Sequence, residues 1–436
     1  MAQHHPSRQG RPHGVPPAPG APSEWTQAHA LEDVAAAGGA LWVVLWQALR
    51  DVWIWSETPA DQRGELFLPP SATVYERTMR ARFEAPELTA ALGTYHLLRW
   101  AAHVVEGAHV ADACQQISAW AEARSMAELA AYFAEAAAVA DPASPVRSHA
   151  AAYLTRRARM FRRSAAWYER TYKLAVRADD RDEAVGALLG YGALLYGLGF
   201  YQQARRYLRK GAKRAVRTGR RRKAAEAHHD LMLLSLDMQD YAAAAHHASQ
   251  AEHLYPLSHP RIPYLVHDFA VVLVRQNYSS LASAQLERVL PFFVRPEEAA
   301  LIWGTLARAA AGAGQLDRFR EAEAKALQLA ALYQEHGAAA LVNVGEGSRV
   351  VREWAKARDY GRLAVQIAQA RQDGGQERLA RELLRRVEQQ EPAPGGIPAP
   401  EDIATLARRI AARLRTWRAP GSRQEPAEPQ ADTSTS

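Results

Sequence analysis

The chain has 436 residues, 48% of them apolar, and a formal net charge of +7. That length could hold two or three domains and supplies ample core. The single cysteine, Cys114, excludes an internal disulfide framework and any multi-cysteine metal site, and suits a reducing compartment. Alanine, leucine and arginine dominate, while alternating runs of valine, isoleucine and threonine are scarce, so the expected class is all-α.

Residues 1–23 are rich in proline, glycine and histidine and lack the apolar core of a secretory signal, so they read as a disordered tail. Residues 24–110 form a separate helical region. Within it, Gly39 to Trp55 is apolar but is interrupted by Gln47, Arg50 and Asp51 and is short for a bilayer, so no transmembrane segment is expected and the protein reads as cytoplasmic. Trp42, Trp46, Leu49 and Trp53 follow a helical rhythm, and Leu41, Leu45, Val52 and Trp55 make the opposite side apolar as well. A helix apolar all round is normally buried, which predicts a cap on the repeats that follow; a docking surface is the alternative. Glu57 to Ser71, with Pro59, Pro69 and Pro70, reads as a linker, and Pro86 to Val105 as a further helix.

From residue 111 to 390 an anchor recurs at Ala130, Tyr168, Ala204, Ala244, Leu281, Phe319 and Leu363, at gaps of 38, 36, 40, 37, 38 and 44 residues. Periods of this size mark repeats that must stack to bury their apolar faces. Ala130, Ala134, Ala137 and Pro142 share their offsets with Ala244, Ala248, Ala251 and Pro256. Small residues at steps of four and three let a neighbouring helix approach, and proline ends the segment. Trp303, Leu306 and Ala307 form a large, large, small trio ahead of Gly314, and Phe200-Tyr201 and Asp240-Tyr241 open the helices anchored by Ala204 and Ala244. In these features the chain resembles the tetratricopeptide repeat superfamily over about two-thirds of its length. The resemblance implies an all-α, right-handed α-α superhelix: a solenoid whose first helices line a concave groove and whose second helices face outward. The spacing exceeds the family's usual ~34 residues, and the copies near Tyr168 and Leu363 are degenerate.

Beyond the repeats, residues 391–400 carry four prolines and two glycines and read as a flexible linker. Residues 401–418 read as a basic amphipathic helix, with Ile403, Leu406, Ile410, Leu414 and Trp417 on one side and Arg408, Arg409, Arg413 and Arg415 mostly on the other. Capping of the solenoid is expected, with an anionic membrane or another docking place as alternatives. Residues 419–436 read as a second disordered tail.

Residues 205–223 hold eleven Lys or Arg and no acid, so the rest of the chain is net −4 and the basicity is local. Ala204, Leu208, Ala212 and Ala215 form an inward stripe beside a candidate basic face of Arg205, Arg209, Lys213 and Arg217. A solvated face is the expected reading, with contact to nucleic acid or an acidic protein as the alternative. Tyr207 is the lone aromatic interleaved there, which weighs against nucleic acid and leaves 205–223 as its one route. The family register implies a candidate groove of His229, Leu233 and Asp237, then Val266, Ala270 and Leu273, then Arg308, then Ser348, Arg352 and Lys356. It also makes Arg308 and Arg352 equivalent. With Lys356 these arginines could pair with an acidic peptide or a terminal carboxylate, although the Lys and Asn set by which some relatives clamp chaperone tails is absent as such.

Histidines gather at 228, 229, 246, 247, 253, 259 and 267, but none pair at a spacing of four, so no metal is expected. No phosphate loop, glycine-flanked serine or dinucleotide fingerprint occurs, and Gly345-Glu346-Gly347 at an expected helix start makes no phosphate cradle. The expectation is therefore a non-enzymatic scaffold or adaptor without cofactor, binding a protein or peptide partner in its groove. A ligand-sensing regulator of transcription or signalling, with the repeats as sensor, is the alternative.

Overall fold

A computed structural model describes residues 15–21, 29–67, 86–333, 336–371 and 373–417, with backbone alone at 29–40, 86 and 297. The expected tail at 419–436, most of the one at 1–23, and Pro69 and Pro70 of the expected linker lie outside these. The described residues form eighteen α-helices and no strand, so the all-α expectation holds. No helix among them is long and apolar enough to cross a membrane. The chain divides into two compact units, Met1–Lys223 and Ala224–Ser436.

Unit 1 opens with α1 (His29–Glu57) and α2 (Thr89–Trp100), followed by the helix pairs α3 (Gly107–Ala123) with α4 (Ala127–Ala140), α5 (Pro145–Arg157) with α6 (Phe161–Arg177), and α7 (Arg181–Gly197) with α8 (Tyr201–Arg217). Unit 2 takes up the chain within α9 (Arg221–Asp237). It continues with α10 (Tyr241–Leu254), the pairs α11 (Ile262–Arg275) with α12 (Ser279–Val289), α13 (Pro296–Gly312) with α14 (Leu316–Leu332) and α15 (Gly337–Val350) with α16 (Trp354–Ala370), then α17 (Gly374–Glu388) and α18 (Glu401–Thr416).

Each pair turns in the same way. A residue with φ between 58° and 80° closes the first helix at Ser125, Arg159, Gly199, Gln239, Asn277, Gly314 and Arg352, 34 to 40 residues apart. The next N–H reaches back to the helix's last turn, as in Met126 to Ala121 O (3.0 Å), Tyr278 to Leu273 O (2.9 Å) and Glu353 to Ser348 O (2.8 Å). This pairing satisfies carbonyls that a helix end leaves open. Glycine takes the left-handed conformation without a Cβ clash, yet only Gly199 and Gly314 use it here, so composition alone hides most of these turns.

Five residues past each turn comes the anchor of the second helix: Ala130, Ser164, Ala204, Ala244, Ala282, Phe319 and Ala357, all fully buried. The expected anchors Tyr168, Leu281 and Leu363 are thus replaced by Ser164, Ala282 and Ala357. Leu363 is 43% exposed. Size and apolarity mislead here because the position rewards whatever lets helices approach. The first helices of successive pairs also pack on one another, α5 on α7 in unit 1 and α11 on α13, α13 on α15 and α15 on α17 in unit 2. A Cβ on Gly304 would stand 2.7 Å from the Ala340 backbone, and one on Gly347 3.2 Å from Ala307 O. Gly345 and Gly347 therefore lie in the middle of α15, at points of helix contact, and not at a helix start.

The tryptophan-rich helix is part of the unit 1 core. Leu45, Leu49, Val52, Trp53 and Trp55 are buried, and Trp55 Nε1 donates to Ala102 O (2.8 Å). Asp51 pairs with Arg99 at 2.6 Å, although burial raises its carboxyl above the ordinary range. Cys114 is buried against the Tyr95 hydroxyl (2.9 Å), and burial pushes its thiol up to about 12, so it carries no thiolate near neutrality.

Both units seat a flanking stretch of their own chain against second helices. In unit 1, residues 15–21 lie against α6 without helix or strand: Arg170 donates to Pro16 O (2.5 Å) and Arg163 to Gly20 O (3.0 Å). In unit 2, residues 391–400 run back along the turns of the pairs as a pinned strap. Arg349 donates to Glu391 O (2.7 Å), Gly396 N–H to Gly312 O (3.2 Å) and Ile397 N–H to Asn277 O (2.8 Å). Helix α18 then packs on α10, α11 and α12, burying Leu406, Ile410 and Leu414. It does not cap the end of the repeats, because its apolar stripe finds a deeper seat between two second helices.

Candidate functional site

Counting back from the turn residues places every first helix in one register. His229 and His267 stand ten residues before their turns, Asp230 and Asp268 nine, Leu233, Arg308 and Glu346 six, and Arg349 three. In unit 2 these positions lie on the row of packed first helices, and two polar clusters result.

The first cluster ties α9 to α11. The Asp268 carboxylate bridges His229 Nε2 (2.9 Å) and His267 Nδ1 (2.8 Å), and His229 Nδ1 meets the Tyr255 hydroxyl at 3.1 Å. Arg261 pairs with Asp230 at 3.2 Å, and His259 lies 3.6 Å from Glu226. Burial acts to raise the Asp268 carboxyl, but the hydrogen bonds and charges of the two histidines hold it well below the usual range. His229 is 1% exposed and saturated by these partners, Leu233 is half-buried, and Asp237 is exposed at the end of α9. His229 thus serves to join the helices. Among the described residues no group of His, Cys, Asp and Glu is placed to hold a metal ion.

The second cluster lies on α11, α13, α15 and α17. Buried Glu346 accepts from Arg349 (2.9 Å) and from Arg386 (3.2 Å), and Arg386 also reaches Glu382 (2.9 Å). Burial raises the Glu346 carboxyl, and Arg308, Arg349 and Arg386 together pull it below its ordinary value. Arg308 is half-buried and makes no hydrogen bond or ion pair among the described residues. Desolvation lowers its guanidinium to about 10; Glu346 opposes the shift, while Arg275, Arg349 and Arg386 add to it. Three guanidiniums therefore share one buried glutamate, with Arg275 beside Arg308, and the patch keeps an excess of positive charge.

Two expected groove residues fall elsewhere. Arg352 is the left-handed turn residue after α15, and Lys356 lies on the second helix α16, 3.3 Å from Glu353 and 3.6 Å from Glu323. The expected equivalence of Arg308 with Arg352 spans 44 residues, whereas the register makes Glu346, 38 residues on, the true equivalent. Arg275, Arg349 and Arg386 were not anticipated. The signal for them was the turn register, which non-glycine turn residues conceal. In unit 1, Arg209, Lys213 and Arg217 are exposed on the second helix α8, and half-exposed Arg205 donates to Gln202 (2.6 Å).

No family model matches the chain, and no curated protein does either. Among solved structures, the chain is similar to the crystal structure of the APC/C hetero-tetramer Cut9-Hcn1, at 13% identity and a TM-score of 0.44 over 82% of this chain. It spans 58% of the length of that neighbour. It is also similar to the Rap conjugation gene regulator of the plasmid pLS20 in complex with the Phr* peptide, at 13% identity and a TM-score of 0.45, covering 84% of this chain and 97% of the other. A Rap protein complexed with competence and sporulation factor aligns at 12% identity and a TM-score of 0.35, over 83% and 98% of the two chains.

Proposed function

We propose that this protein is a helical-repeat scaffold whose unit 2 captures an acidic peptide on its first-helix wall. The supporting observation is Arg308, a desolvated guanidinium that makes no hydrogen bond or ion pair among the described residues and has only the electrostatic pull of Glu346, which Arg349 and Arg386 share. A ligand carboxylate would restore what burial takes from Arg308, through charge-assisted bonds worth about 1.5–3 kcal/mol each. The wall of stacked helices is already formed, so the ordering cost falls mainly on the peptide. Arg349 holds the strap as well as Glu346, which leaves Arg308 and Arg275 as the arms that meet the ligand.

The test is fluorescence anisotropy of a labelled poly-glutamate peptide with the full chain at low salt. The Arg308→Ala, Arg275→Ala double variant should bind at least tenfold more weakly, and 0.5 M salt should reduce wild-type binding to the same level. Equal binding by the double variant at low salt refutes the reading.

A further inference from the structure

The second-helix side of unit 1 holds a groove that none of the described residues fills. It runs between α6 and α8 over α7, has a volume of about 390 Å³, and is walled by Tyr168, Tyr172, Tyr191 and Tyr207, with Glu169 on the same wall neutralised by Lys173 at 3.0 Å. Tyr191 and Tyr207 pack at 4.8 Å between ring centroids. On the rim, Lys210 lies 5.3 Å from the Tyr172 ring, and Arg214 stands 5.7 Å from the same ring. Arg214 Nε is buried there without a hydrogen-bond partner. Sequence order gives only Tyr207 among the basic residues of α8; the fold brings the other tyrosines from α6 and α7.

We infer that this groove is a docking site for an extended, proline-containing acidic peptide. The adjoining groove shows how such a chain is held. There Val15 to Ala21, with Pro16, Pro17 and Pro19, lies without helix or strand, and arginines of α6 donate to its carbonyls. An extended proline-rich chain has no internal hydrogen bonds, so its carbonyls are free to accept, and it is already ordered before it binds. Tyrosine walls suit pyrrolidine rings in the same way that aromatic grooves take proline-rich ligands elsewhere. Lys210 and Arg214 supply the charge that acidic side chains would meet. A single-stranded nucleic acid could also use stacking and positive charge, but the neighbouring grip of α6 arginines on the proline-containing stretch 15–21 is a precedent for a peptide. The observations favour the peptide.

The site is independent of the unit 2 wall, and its test is arranged accordingly. A fluorescein-labelled synthetic peptide of three Glu-Pro-Pro-Ala repeats is titrated into the full chain. Saturable binding is expected, weakened at least tenfold by Lys210→Glu and by Tyr207→Ala, and unchanged by Arg308→Ala, which reports on the other site. Lys210 is exposed, so its replacement leaves the core intact, and circular dichroism checks this. A glycine-for-proline version of the peptide should also lose at least tenfold. Absence of saturable binding, equal binding by wild type and Lys210→Glu, or binding weakened tenfold by Arg308→Ala overturns the inference. So does a result in which oligothymidylate binds in a Lys210-dependent manner and the peptide does not.

Discussion

The two units solve one problem by opposite means. Each leaves a groove between second helices, and each closes one with a segment of its own chain. Unit 1 uses a stretch without helix or strand whose carbonyls have no partner of their own, so the groove must supply donors, and Arg163 and Arg170 do so. Unit 2 uses α18, a helix that satisfies its own backbone and must therefore bring apolar side chains: Leu406, Ile410 and Leu414 are buried, and Trp417 Nε1 donates to His259 O (2.8 Å). Ion pairs at the rim then orient it, with Arg409 on Glu252 at 2.5 Å and Arg413 on the Tyr255 carbonyl. An occupant's backbone state thus decides whether a groove is built from donors or from hydrocarbon.

The largest test of that contrast is Ile410→Asp, which puts a charge where the residue is fully buried. It should destabilise the α18 seat by about 3 kcal/mol or more and expose the strap at 391–400 to protease, with unit 1 unaffected. Intact protection of the strap would show that the ion pairs, and not the apolar stripe, hold the helix. Gly304→Val comes next, since its side chain would meet the Ala340 backbone. Prying α13 from α15 should cost about 1–3 kcal/mol in urea unfolding and loosen the whole first-helix wall. An unchanged midpoint would mean that the wall tolerates wider spacing than its glycines suggest.

Arg170→Ala removes donors to both Pro16 O and Pro142 O (2.8 Å) and should cost about 1–2 kcal/mol. Repeating it in a chain lacking residues 1–21 separates the two bonds, because only the Pro142 share should remain. The smallest effect concerns pH. Burial first, and then His246, lowers His228 below its ordinary 6.5. Below pH 6.5 the unfolded chain takes up a proton that the folded chain resists, so stability is greatest above 6.5 and falls as the pH drops. Thermal melts of wild type and His228→Gln at pH 7.5 and 5.5 should show a smaller acid loss in the variant.

Much of the repeat was legible in advance. Ala130, Ala204, Ala244 and Phe319 mark second helices at their true anchor, and the small residues four and seven beyond Ala130 and Ala244 are buried in step. Ser164, Ala282 and Ala357 were missed in favour of bulkier neighbours, since apolarity does not measure how closely two backbones must pass. The candidate site suffered more from the same slip. A shift of six residues turns a helix by more than a full turn and a half, so Arg352 and Lys356 were placed on a wall to which neither belongs, while Arg349 and Arg386 were overlooked.

By itself the sequence determined the class, the period and the amphipathic stripes, because helical periodicity and alanine spacing are local properties of a chain. Which side chains meet was decided only by the tertiary structure. The arginines around Glu346 come from α13, α15 and α17, and the tyrosines of the open groove from α6, α7 and α8, so each cluster exists only where separate helices pack. The seat of α18 was likewise a choice among apolar surfaces, settled by the groove between α10 and α12 that leaves its stripe least exposed to water.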